Sequence, residues 1–514
     1  MNISDIAFIG SGAASTITLV ELFKKLNDRP APEKKLTITV IDKYPEFWTG
    51  IPYGSRSSVN SLIITPVTDF IQEKTEQTLF FNWIISNLDE LTNYYSVKGG
   101  NAASNWLNEK LPFIKSGEWE KVHIPRFIFG FYLENKLQGL LKEAKEKQLV
   151  EVTLIHGEAV DIEKTGDGLY TIVLEDNDKH HLVKVAKKLV IATGSAPVKK
   201  YLKEANNNLY SYINDIYEPA LDENIKALAK ALSNTSDVEE RNVLIIGTNA
   251  SSIELLYLLN YLPDINTKIN RIVAISTRGS MPYHIDQAEL NNYPCPHLDT
   301  LKVSGGYDIR TLVKAAKKDI EQTILNGVIN VPYTARVIGY TLELMQTLDE
   351  DSQKMFYGTY GMQLTKLIRR SGPAYKGATA AFIQAQKLEL LKGEFLNITN
   401  GVNGCQLNYA DPATKELHTF DLPFKVVINC TGSDNLDVSA SRLLYNLVHK
   451  NICKENLSGK GFIVNENFEA APNLYVIGPL LGGNMNKRIY TWHLENVAKL
   501  FYYAPFLVDC LLGE

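Results

Sequence analysis

Ile6-Ala7-Phe8-Ile9-Gly10-Ser11-Gly12-Ala13-Ala14-Ser15 sets a short apolar run against a glycine-rich turn, and Ile17, Leu19, Val20, Leu22 and Phe23 follow at helical spacing. The predicted order is strand, tight turn, helix. The helix stops in the breaker cluster Asn27-Asp28-Arg29-Pro30-Ala31-Pro32, after which the β-branched run Leu36-Thr37-Ile38-Thr39-Val40-Ile41 leads to Asp42. Strand, helix and strand in this order make a βαβ unit with a right-handed crossover.

The turn carries chemistry as well as geometry. Gly10 permits the tight bend, Gly12 lets another group approach the backbone, and the helix N-terminus beyond offers unsatisfied N–H groups and partial positive charge to a pyrophosphate. Ser15 takes the third glycine position. Asp42 offers a carboxylate to ribose hydroxyls, about 30 residues past Gly12 where the fingerprint expects about 20. The proline loop accounts for the excess.

A second copy begins at Val243-Leu244-Ile245-Ile246-Gly247-Thr248-Asn249-Ala250-Ser251-Ser252 and continues into Arg271-Ile272-Val273-Ala274-Ile275-Ser276. Asn249 replaces the second glycine, and its tolerance of left-handed backbone would keep the turn. Ser276-Thr277-Arg278 ends the next strand without a carboxylate, which favours a ribose 2′-phosphate and hence NADPH over NADH. The copies also close alike, at Ala192-Thr193-Gly194 and Cys430-Thr431-Gly432, and Val152–Gly157 matches Leu396–Gly401 ahead of each closure. The fold class expected is α/β with two Rossmann-like dinucleotide-binding domains in tandem, residues 1–235 with 436–514, and 236–435. Helical insertions are expected at about 66–150 and about 284–390, the latter shaping a substrate cavity, and a last helix from about Thr491.

Charge and composition remove other classes. Lys+Arg 53 against Asp+Glu 58 gives −5 over 514 residues, so no basic surface exists for nucleic acid. No run approaches 18 apolar residues and the N-terminus lacks a basic, cleavable leader, so no membrane role and a cytoplasmic location are expected. The five cysteines form no C-x-x-C or C-x4-C pair, which removes a dithiol redox centre beside a cofactor. His180-His181 would point to opposite faces of a strand and no cluster has metal spacing, so no metal is expected.

With the two turns, the Ala192-Thr193-Gly194 and Cys430-Thr431-Gly432 strand ends, Val122-His123-Ile124-Pro125-Arg126-Phe127-Ile128-Phe129-Gly130-Phe131-Tyr132-Leu133 and Ile477-Gly478-Pro479-Leu480, the chain resembles FAD/NAD(P)-binding flavoproteins with two dinucleotide domains. Thr49-Gly50-Ile51-Pro52-Tyr53-Gly54 and the Pro-Arg-x-x-Phe-Gly-x-Tyr-Leu signature are similar to the bacterial branch near the N-hydroxylating, class B flavin monooxygenases. That branch commonly has Leu-Asn ahead of the proline where this chain reads Ile63-Ile64-Thr65-Pro66, leaving Asn60 to supply any missing amide contact.

The resemblance implies FAD on the first domain, NADPH on the second and the isoalloxazine between them near Gly478. Cofactor contacts are expected from Gly10, Gly12, Ala13, Ala14, Ser15, Asp42, Lys43, Arg126, Val160, Ala192, Thr193, Gly194, Gly247, Asn249, Ala250, Ser251, Thr277, Arg278, Thr431, Gly432, Gly478 and Pro479. For catalysis the candidates are His123, placing nicotinamide or flavin or else capping a helix; Arg126, pairing with a phosphate or substrate carboxylate or else a structural acid; and Tyr283, over the nicotinamide. Arg369-Arg370 and Tyr375-Lys376 would bind an anionic substrate or form a solvated face. The implied reaction is NADPH-dependent oxygenation of a small molecule by O2 through a flavin C4a-(hydro)peroxide, most simply N-hydroxylation of an amine or amino-acid derivative. Alternatives are an FAD-dependent reductase or oxidase without oxygen insertion, an atypical Baeyer–Villiger enzyme, or a nucleotide-binding scaffold; assembly into a homo-oligomer stays open.

Overall fold

The structure is a computed structural model that describes residues 3–30, 32–176, 178–202, 209–494 and 496–514. Ala31 of the breaker cluster lies outside them. β1 (Ile3–Ile9) buries its last four residues, as a central parallel strand covered on both faces must. It feeds α1 (Ala13–Asn27), which returns to β2 (Leu36–Asp42), parallel to β1 with Ile6 opposite Ile38. α2 (Arg126–Glu146) packs on α1 and delivers β3 (Val150–His156) to the outer side of β2. β4 (Glu158–Lys164) and β5 (Tyr170–Glu175) then form an antiparallel excursion ending in β6 (His181–Ile191), which lies parallel to β1 on its other side. The late strand Leu474–Val476 completes this sheet beside β6, and the C-terminal helix Val497–Leu512 packs on α1.

The second unit repeats the plan. β7 (Ser211–Ile213), β8 (Asn242–Ile246) and β9 (Arg271–Ser276) join Leu388–Lys392 and Val426–Asn429 in an all-parallel sheet ordered Leu388–Lys392, β9, β8, Val426–Asn429, β7. α3 (Ala250–Asn260) follows β8, and α4 (Pro373–Gln384) packs against α3. β1 in the first sheet and β8 in the second therefore each lie between the strand that follows the next helix and the closing strand.

Several expected boundaries shift. β7 and the helix Leu221–Ser233 already belong with the second sheet, so a division near residue 235 is too late. The insertion expected to run to about 150 ends before α2, and the one expected to run to about 390 ends before α4, because both helices cover a Rossmann-like sheet. The Leu396–Gly401 match was one strand out of step. Leu388–Lys392 is the counterpart of β3, whereas Glu394–Gly401 opens an antiparallel sheet with Gly404–Ala410 and Leu417–Thr419, as β4 does in the first unit. Alternation alone does not distinguish an edge strand of a parallel sheet from the start of a meander. The last helix starts at Val497 under an Asn496 cap, since Tyr490–Thr491 pairs with Asn484–Met485 as a short hairpin. The region between β9 and α4 is mainly helical and carries a separate core around Leu298, Leu312, Ile320, Val337, Phe356 and Leu364.

Both sheets close through the same backbone contact. Gly10 has φ +96°, and a Cβ there would lie 2.4 Å from the Ala192 carbonyl oxygen; Gly247 has φ +100°, and its Cβ would lie 2.6 Å from that of Cys430. Only glycine combines this conformation with this approach. Gly247→Ala is expected to lower the melting temperature markedly or to abolish soluble expression, and an unchanged thermal unfolding curve would contradict the account.

Candidate cofactor cleft

Both glycine turns open onto one cleft of about 1680 Å³. Gly10, Gly12, Ala13, Ala14, Asp42, Lys43, Ala192, Thr193 and Gly194 meet there from the first unit, with Gly247, Asn249, Ser251, Thr277, Arg278, Thr431 and Gly432 from the second, and Pro479 between. Gly12 is the N-cap of α1 and makes no side-chain cap, so the first N–H groups of that helix are left for an incoming anion. Its backbone is extended at φ −75°; the tight position is its neighbour Gly50, at φ +64°, where a Cβ would sit 3.0 Å from the Gly12 Cα. At Gly194 and Gly432 a Cβ would meet nothing within 4 Å, so bare backbone borders open space. These features fit a pyrophosphate laid across the turn.

At the end of β2, Asp42 accepts from Ser11 N and Ser11 Oγ, both at 2.7 Å through Oδ2, and from Tyr44 N at 2.9 Å through Oδ1. The second unit has Ser276 in the corresponding position, bonded by Thr248 Oγ1 at 2.9 Å. A carboxylate in one copy and a hydroxyl in the other leave only the first repelling a 2′-phosphate. Arg278 is held beside Ser276 by the Lys366 carbonyl and by Ser280 Oγ at 3.4 Å, with its guanidinium 5.4 Å from the Tyr283 ring centroid. Arg369 lines the same cleft, and its Nε is buried with no hydrogen-bond partner among the described residues.

Other candidates lie elsewhere. Arg126 pairs with Glu254 of α3 at 2.8 Å, while its Nε donates to the Leu62 carbonyl at 3.0 Å; it is an ion pair joining the two units and does not itself line the cleft. His123 faces a separate cavity, where burial and repulsion from Lys110 push its ring down to about 4. Tyr283 stacks beneath Arg278 at the start of the strand Tyr283–Asp286 and does not line the cleft. Val160 is buried with its carbonyl accepting from Asn446 Nδ2 at 3.0 Å, and Glu158 and Ala159 reach the cleft instead. Ser15 Oγ donates to the Gly10 carbonyl at 2.5 Å, tying turn to helix. Ala250 begins α3 off the wall, and Gly478 abuts Ala14 behind Pro479. Asn249 is extended at φ −101°, so left-handed tolerance is irrelevant; Gly247 alone carries the positive φ of that turn. Asn60 donates to the Gly99 carbonyl, away from the cleft.

His181 begins β6 while His180 lies in the preceding turn, where its ligand atom and those of Asp176 and Asp178 fall within 4.8 Å of one another. The expectation that no cluster has metal spacing is corrected: Asp176, Asp178 and His180 stand at alternate positions, and the turn brings their side chains to one side. Cleft residues absent from the sequence reading include Tyr217, Lys199, Lys366, Lys460 and Trp492. No local pattern marks them, since they arrive from segments far apart in the chain.

The FAD-NAD(P)-binding family matches residues 7–196. Proteins described as uncharacterized from Mycobacterium tuberculosis and Mycobacterium bovis are 33% identical over 516 residues, covering 99% of this chain and 95% of theirs. The chain belongs to their family. Among solved structures, ornithine hydroxylase PvdA from Pseudomonas aeruginosa superposes with a TM-score of 0.54 at 13% identity, covering 100% of this chain and 99% of that one. L-lysine 6-monooxygenase from Pseudomonas syringae gives 0.54 at 11% identity, with 99% of each chain covered. The α/β fold is thus that of the two-dinucleotide-domain flavoproteins, and residues 7–196 match the FAD-NAD(P)-binding family. Among the described residues, no helix is long and apolar enough to cross a membrane.

Two outcomes follow from the buried groups. Arg126→Met leaves Glu254, 1% exposed, without its counter-charge, and equilibrium unfolding is expected to show a loss of about 3–5 kcal/mol. His123 binds its proton more weakly folded than unfolded, so its contribution to stability is lost as pH falls from 6.5 toward 4 and is level above 6.5. His123→Phe is therefore expected to lose less stability than the parent between pH 7 and pH 5, measured by thermal unfolding at each pH.

Proposed function

We propose that the protein is an NADPH-dependent FAD monooxygenase acting on a small molecule, most simply an amine or amino-acid derivative that it N-hydroxylates. The observation that carries this reading is the paired glycine turn, a carboxylate-bearing copy and an arginine-bearing copy, opening face to face onto one cleft. Bound FAD would supply hydride acceptance and oxygen activation. The ornithine and lysine hydroxylases that share the fold support the substrate class. In domain terms, the FAD unit comprises β1 to β6 with the C-terminal segment, and the NADPH unit runs from about β7 to Val426–Asn429.

The chain's own residues supply positioning and electrostatics. The α1 N-terminus and Gly12 would hold the FAD pyrophosphate, with Asp42 on the adenosine ribose. The α3 N-terminus with Asn249 and Ser251 would hold that of NADPH, and Arg278 its 2′-phosphate. Arg369 Nε would gain a partner from an anionic group in the cleft. Lys199, Lys366 and Lys460 line the cleft, and Lys460 is lowered by burial despite Asp434, with Lys366 and Lys199 adding to the depression. An amine bound beside these three lysines would be disfavoured in its ammonium form, and only the neutral amine is nucleophilic. The five cysteines are free, and burial raises all of them, which gives thiol–disulfide chemistry no support.

The deciding experiment counts oxygenated product per NADPH consumed over a panel of amines, amino acids and diamines. Stoichiometric hydroxylamine is expected; NADPH oxidation yielding only hydrogen peroxide with every substrate would favour the oxidase reading. Arg278→Ala is expected to raise the KM for NADPH about tenfold or more while barely changing that for NADH, since one charged contact to the 2′-phosphate is worth this much. Steady-state kinetics with both dinucleotides checks it, and equal effects would remove the assignment.

A further inference from the structure

A second cavity, of about 270 Å³, lies at the seam between the units and shares no wall with the cofactor cleft. The helix Leu88–Ser116 forms one side through Trp106 and Lys110, and the end of α3 with the start of α4 forms the other. We propose that this cavity binds a small planar carboxylate, independently of the cofactors.

The shape argument rests on the walls. Trp106, Tyr257, Tyr261 and Tyr375 present aromatic faces, suited to a flat apolar body. Trp106 Nε1 is committed to the His123 carbonyl at 2.8 Å and Tyr375 Oη to the Leu62 backbone at 2.9 Å, so these two contribute their rings.

The charge argument rests on what is left over. α4 starts at Pro373 behind Gly372, which makes no side-chain cap, and helix bonding begins with Lys376 N donating to the Gly372 carbonyl at 3.1 Å. The amides of Ala374 and Tyr375 therefore have no partner within the helix. Tyr257 is 2% exposed and lines the cavity, yet its hydroxyl makes no hydrogen bond among the described residues. The His123 ring also lacks a hydrogen bond among them, and a Cβ on Gly372 would lie 3.4 Å from its Cδ2, which places the ring at the helix start. Lys110 is 19% exposed, and its partner Glu109, 2.7 Å away and 68% exposed, also lines the cavity. Burial lowers the proton affinity of His123 most, and repulsion from Lys110 outweighs attraction by Glu109 there. The free helix amides, the Tyr257 hydroxyl, the Lys110 ammonium and the His123 ring outnumber the single carboxylate of the wall, Glu109, and make a donor-rich set that answers an acceptor-rich anion better than an ammonium ion.

The test is calorimetric titration of the FAD-loaded protein with benzoate and 4-hydroxybenzoate, with benzylamine as the cationic counterpart of the same size. Saturable one-to-one binding of the two acids is expected, undisturbed by saturating NADP⁺, with no benzylamine binding. His123→Phe and Tyr257→Phe should each weaken benzoate by about tenfold, the loss of one hydrogen bond to a charged group. Melting temperature and flavin content establish that each variant is folded; if both fail to fold, the benzoate and benzylamine contrast on the native chain decides. Absence of benzoate binding at millimolar concentration, equal binding of benzylamine, displacement by NADP⁺, or folded variants with unchanged affinity would each overturn the proposal.

Discussion

In each unit a glycine just past the strand that opens the βαβ repeat passes close over the carbonyl at the end of the closing strand. Gly10 N donates to the Ile41 carbonyl and Ala192 N to that of Ile9; Gly247 N donates to the Ile275 carbonyl and Cys430 N to that of Ile246, all at 2.8 Å. Three strand ends are thereby drawn to one point in each sheet. The following helix then begins directly over the crevice, with its free amides facing outward. Everything assigned to dinucleotide binding descends from that contact, because residues brought to the carboxyl ends of parallel strands share one rim.

A second constraint joins the units. Glu254 on α3 is fully buried and accepts from Ser61 Oγ at 2.6 Å besides pairing with Arg126, which itself grips the Leu62 carbonyl. Tyr375 of α4 bonds both polar atoms of the Leu62 backbone. The segment Ser57–Ile63 of the first unit is thus clasped by two helices of the second. A buried pair of this kind adds little net stability but tolerates few alternative arrangements, since separating its members strands a charge in a medium of low dielectric.

Much of the fold was legible because its signals are local. Apolar runs that end on glycine, helical spacing after each turn and the two matching closures are all properties of neighbouring residues. They suffice for two parallel sheets and for the turns that rim the cleft. The misread elements were those whose identity depends on partners: Leu396–Gly401 alternates as any half-buried strand does, and only pairing with Gly404–Ala410 makes it part of a meander. β7 is three residues long, too short for a period to be read, and joins the second sheet solely through Val426–Asn429.

The candidate site divides in the same way. Gly10, Gly12, Asp42, Gly247 and Arg278 could be named in advance because each stands at a set distance from a strand end, and strand ends are written in the sequence. Arg126 and His123 sit in an equally suggestive segment, yet the fold turns one into a buried ion pair and the other toward a separate cavity. Their surroundings come partly from α3 and α4, more than a hundred residues later, and a charge or imidazole takes its role from what is packed against it. The sequence by itself determined the repeated nucleotide-binding turns, through backbone conformations only glycine adopts. Tertiary structure alone decided which charged side chains face the cleft and which hold the units together, because burial and counter-charge are properties of space rather than of order along the chain.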